Sequence, residues 1–172
     1  MRRAIATVAS LLIAVIIIIV ALIFLRAWRI PFFQVEILGM SHSAVHWIGW
    51  IGAMYIAIAT PIYPIIKRKY SHFIERTLSI HVTGNLLGVL LVSIHFAHQV
   101  TRPVNSYPDL GTGIVLYVAM TMLSTTGLIL VTGIGRKFFK QIRFLHPAFA
   151  ITFYTVIVMH ILEDLIIPSI FT

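Results

Sequence analysis

Five apolar runs, at about 4–25, 44–66, 78–100, 113–132 and 147–167, take up most of this 172-residue chain. Each approaches the roughly 20 residues that a helix needs to cross a hydrocarbon core about 30 Å thick. Lipid offers no hydrogen-bond partners, so the backbone must satisfy its own, and runs of this length predict helices. With 59% hydrophobic and only 10% charged residues, the composition excludes a soluble domain of this size. The expected fold is all-α, an integral membrane bundle of five transmembrane helices forming one domain over 1–172.

Arg2 and Arg3 precede the first run, as they would in a secretory signal. The run is too long for one, however, and Arg26, Trp28 and Arg29 follow where small residues would mark a cleavage site. It is read as an uncleaved span. Cysteine is absent, which excludes disulfides, thiolate-ligated haem and iron–sulfur clusters and leaves histidine as the strong ligand for iron.

The net charge of +8 is a topology signal rather than a nucleic-acid footprint. Arg2, Arg3, Lys67, Arg68, Lys69, Arg76, Arg136, Lys137, Lys140 and Arg143, ten of the thirteen Lys and Arg, fall at the N-terminus and in the second and fourth connections. With five spans these share one compartment, and the positive-inside rule places the N-terminus inside and the C-terminus outside. Arg26, Arg29 and Arg102 are left outside with Glu36, Asp109, Glu163 and Asp164. The stretch 26–43, with Trp28, Pro31, Phe32 and Phe33, suits an interfacial segment. The stretch 101–112, with Pro103, Asn105, Pro108, Asp109 and Gly111, predicts an external turn. Gly133 and Gly135 mark the end of the fourth span.

Four histidines lie in the third and fifth runs: His81 and His95, His146 and His160. Within each run the interval is fourteen residues, nearly four turns of helix, so each pair shares one face about 21 Å apart along the axis. Five alternating spans make the third and fifth parallel. His81 and His146 then lie near the inner ends, His95 and His160 near the outer ends. This arrangement suits two b-type haems, one held by His81 with His146 and the other by His95 with His160. Two axial imidazoles leave no open position on iron, which suits electron transfer. Histidines that merely bond between helices are the plain alternative, but equal intervals at matched depth favour ligation.

Further residues fit around this pattern. Gly84 and Gly88 would flatten the third helix where porphyrins need room, or else serve helix packing. Phe153 falls midway between His146 and His160. Arg76, Lys140 and Arg143 are candidate propionate partners on the inner side, and Arg102 on the outer. His98 sits about 100° off the shared face. His42 and His46, four apart, are expected on one helical face at the external start of the second span, where they would bind a metal, take protons from a quinol or cap the helix. His72 is expected in a solvated loop.

On His81, His95, His146 and His160, and on the basic loop running into Arg143-Phe-Leu-His146, the chain resembles the ferric reductase-like transmembrane domain. That domain is the haem-bearing core of ferric reductases, NADPH oxidases and the haem subunit of bacterial methionine sulfoxide reductases. The resemblance covers roughly 76–163 and implies that the four histidines are axial ligands of two b haems passing electrons from the inner to the outer side. Members of that family commonly have six spans and often a flavin and nicotinamide domain. Their absence here implies a quinol or a separate flavoprotein as donor and an external acceptor. The double spacing also resembles quinol-oxidising cytochrome b subunits, which usually have more spans. A histidine-lined metal-ion transporter is the alternative from another class, weakened by the scarcity of carboxylates between the histidine levels. In each case the chain would sit among lipid in the cell membrane.

Overall fold

The computed structural model describes residues 2–28, 30, 33–37, 40–103 and 111–165. Among them are five long helices: α1 (Arg2–Phe24), α2 (Ala44–Lys69), α3 (Ile74–Val100), α4 (Gly111–Thr132) and α5 (Phe139–Leu165). All five are long and apolar enough to cross a membrane. Ile17, Ile51, Ile65 and Ile151 are largely exposed, a distribution that would aggregate in water and that lipid accommodates. The chain is a multi-pass membrane protein. It divides into two compact units, Met1–Pro108 and Asp109–Thr172.

In the first unit, α3 contributes Val82, Leu86, Val89 and Val92 to the core, one stripe at helical spacing. Val45 and Ile56 of α2 and Ile5, Ala9 and Ile23 of α1 are buried as well. Helices α2 and α3 form an antiparallel hairpin around a small-residue crossing. A Cβ on Gly52 would stand 2.7 Å from the Gly88 carbonyl oxygen, and one on Gly88 would stand 2.8 Å from Ile56. Beside it, the Tyr55 phenol occupies the space at Gly84. The room expected for porphyrin at Gly84 and Gly88 is therefore filled by α2, and these glycines serve close helix packing.

The segment after α1 holds an element the sequence did not announce. Strands β1 (Gln34–Ile37) and β2 (Met40–Ser43) pair antiparallel, with Val35 opposite His42 and Gln34 opposite Ser43. Trp47 Nε1 donates to the Val35 carbonyl at 2.9 Å and latches the hairpin onto α2. Ser43 ends β2 and caps α2, its hydroxyl oxygen accepting from the His46 amide at 3.2 Å. His42 thus belongs to a strand and not to the helical face shared with His46. Pro31, Phe32, Asn105, Pro108 and Asp109, placed in external segments from sequence, lie outside the described residues.

In the second unit, α4 and α5 form another antiparallel hairpin. Gly133 and Gly135 adopt positive φ (80° and 69°) where α4 stops, as their positions predicted. Helix α5 starts eight residues before the expected start at Pro147, which sits within it. Proline inside a helix removes one backbone bond, yet Phe139–Leu165 stays continuous. Lys140 and Arg143, read as loop, are helical. Phe153 is fully buried and is core.

Candidate functional site

Helices α3 and α5 are both 27 residues long, and each is preceded directly by a 3₁₀ turn, Ser71–Phe73 and Arg136–Phe138. His81 follows the first residue of α3 by seven positions, as His146 follows that of α5; His95 and His160 each follow by twenty-one. The two helices therefore carry their histidines in one register. Within each helix the two histidines lie about 21 Å apart along the axis.

In the second unit α4 holds both α5 histidines by their Nδ1 atoms. Thr126 Oγ1 lies 3.0 Å from His146 Nδ1, and Thr112 Oγ1 lies 3.1 Å from His160 Nδ1. The two threonines are themselves fourteen residues apart, so α4 repeats the interval of α5. Each is followed by a glycine that lets its histidine approach. A Cβ on Gly127 would stand 3.1 Å from His146 Cε1, and one on Gly113 would stand 3.6 Å from His160 Cε1.

The hydroxyl protons are directed elsewhere. Thr126 donates to the carbonyls of Met122 (2.8 Å) and Leu123 (2.9 Å). Thr112 donates to Glu163 Oε2 at 2.5 Å, short as hydroxyl–carboxylate bonds are. A hydroxyl has one proton; once it is committed, the oxygen faces Nδ1 as an acceptor. With Nδ1 protonated, Nε2 would keep its lone pair, the tautomer of a metal-ligating imidazole held by an outer partner. The α5 histidines thus fit an iron ligand.

In the first unit the α3 histidines pack on α2. The His81 ring stacks on Tyr63, with centroids 4.4 Å apart and planes at 20°, and Asn85 Nδ2 lies 3.3 Å from His81 Nδ1. The same Asn85 nitrogen lies 3.4 Å from His81 Nε2, so Asn85 faces the ring edge that carries both nitrogens, and iron ligation by His81 would need this amide to move aside. His95 lies against Gly49, where a Cβ would stand 2.7 Å from His95 Cγ, and it meets the His46 ring edge to face at 5.0 Å. His46 in turn stacks on His42 at 4.4 Å and accepts from Trp50 Nε1 at 2.8 Å. This aromatic group ties β2, α2 and α3 together.

No family model, curated protein or solved structure matches this chain. The assignment therefore stands on the residues themselves. His98 is buried near the end of α3. His72 is exposed beside Phe73, as a loop histidine would be. Among the described residues no group of three His, Cys, Asp or Glu is placed to hold a metal ion. Thr112, Thr126 and Glu163 had no role in the sequence reading; the signal for the threonines was present as a Thr-Gly pair recurring at the histidine interval.

Proposed function

We propose that the chain is a dihaem b-type cytochrome of the cell membrane that carries electrons across the bilayer. His81 with His146 would ligate the inner haem and His95 with His160 the outer one. The observation that carries this reading is the common register: two 27-residue helices bear histidines at the same two positions. On α5 both rings are also held at Nδ1 by a threonine hydroxyl of α4. Each haem supplies one-electron iron chemistry, and two imidazoles close its coordination to substrate. Apolar helices conduct no electrons by themselves, so two levels about 21 Å apart divide the crossing into steps.

The charge distribution supports an N-terminus inside and a C-terminus outside. Lys67, Arg68 and Lys69 end α2, and Arg136, Lys137, Lys140 and Arg143 surround the start of α5, one compartment by the positive-inside rule. The donor is a quinol or a separate flavoprotein on the inner side, and the acceptor is external. The resemblance to the ferric reductase-like domain points the same way. Purified protein should show the reduced α-band of b-type haem. A colourless preparation that binds zinc instead would sink the reading.

A further inference from the structure

The two α5 histidines are held alike at Nδ1, but the bonds behind the threonines differ. Behind Thr126 stand the neutral backbone carbonyls of Met122 and Leu123. Behind Thr112 stands the Glu163 carboxyl. Four observations converge on this pair of arrangements: the matched Oγ1–Nδ1 distances, the shared fourteen-residue interval, the glycine after each threonine, and a hydroxyl proton already committed on each side.

We infer that Thr126 and the Thr112–Glu163 pair are positioning residues that lock His146 and His160 in the Nδ1–H tautomer. We infer further that the Glu163 carboxylate makes His160 the more electron-donating ligand of the two. Thr126 has two carbonyls within 2.9 Å. Were its proton turned to Nδ1 instead, oxygen lone pairs would face each other across both contacts, whereas acceptance from Nδ1–H satisfies every group. At Thr112 a carboxylate draws the hydroxyl proton, which makes the oxygen a stronger acceptor and loads more negative charge onto the imidazole. A ligand of that character favours ferric over ferrous iron. The statement about donor strength rests on the haem reading; the tautomer lock does not.

The tests separate the two. In haem-free protein labelled with ¹⁵N-histidine, the His146 and His160 signals should report protonated Nδ1. T126V should disturb only His146 and T112V only His160, while Thr126→Ser and Thr112→Ser, which keep the hydroxyl, should restore each signal. A bare Nδ1 on either ring in the unsubstituted protein, the result expected if the threonine proton pointed at the ring, overturns the lock. In the haem-loaded protein, E163Q should leave two haems bound and raise the midpoint potential of one. At fixed applied potential the ferric-to-ferrous ratio of that haem should fall by about tenfold, the lower end of what loss of an outer partner does to a metal site. T126V should move the other haem. Unchanged potentials in E163Q refute the electronic role. A protein that takes up no haem refutes the proposed function, and the ¹⁵N result then decides the lock alone.

Discussion

Three of the four candidate ligands press against a glycine of the adjoining helix, and the three gaps are graded. Alanine at each position gives a series whose order follows from geometry. At Gly49 the added carbon would stand 2.7 Å from His95 Cγ and 2.8 Å from His95 Cβ, well inside the 3.4 Å at which ordinary contact begins. Those atoms sit at the root of the side chain and cannot swing away, so α2 and α3 must separate; overpacking of this kind costs about 1–3 kcal/mol. The higher helix propensity of alanine returns about 1 kcal/mol, leaving a net loss of up to ~2 kcal/mol. At Gly127 the shortfall against His146 Cε1 is slight, 3.1 Å against 3.4 Å, and the two effects nearly cancel. At Gly113 the contact of 3.6 Å is already ordinary, and G113A should be neutral or stabilising by up to ~1 kcal/mol. Unfolding by added SDS in mixed micelles, followed by loss of helical circular dichroism, should rank midpoints as G113A, then G127A, then G49A. A G49A midpoint equal to that of G113A would refute the packing described around His95.

The cap and the hairpin latch are testable in the same way. Ser43→Ala should lower stability by about 0.5–2 kcal/mol, through loss of the bond accepted from the His46 amide, and should speed hydrogen exchange at that amide. W47F removes the donor to the Val35 carbonyl and should increase proteolysis between residues 34 and 43 while α2 stays helical. Tyr63→Leu forfeits the stacking on His81, worth about 0.5–1.5 kcal/mol beyond its area, and should broaden the His81 ring resonances without altering those of His160.

The helices were legible because a span must be continuous and apolar, and continuous runs need no tertiary knowledge. The start of α5 was not, because Lys140 and Arg143 look like loop when hydropathy alone is read. In the structure Phe139–Arg143 are helical and lie upstream of the apolar run. The hairpin is not legible in the sequence because Gln34–Ile37 and Met40–Ser43 are only four residues each, too short for a clear alternation, and the four-residue spacing of His42 and His46 reads as helical. Gly84 and Gly88 were visible as small residues, but which neighbour used the space depended on Tyr55, Gly52 and Ile56, a tertiary fact. The histidine interval was plain in the sequence. What holds the α5 rings was plain only in part: the repeated Thr-Gly could be read, whereas the reach of Thr112 to Glu163 required the helices to be packed.

The most direct test of the central claim is a count of haem per chain in paired histidine variants, by pyridine haemochrome on purified protein. If ligands pair by depth, His81→Leu with His146→Leu should retain one haem, and His95→Leu with His160→Leu should retain the other. His81→Leu with His95→Leu should retain none, since it removes one ligand from each level. One haem surviving in that last variant, or none in the first two, would contradict the pairing.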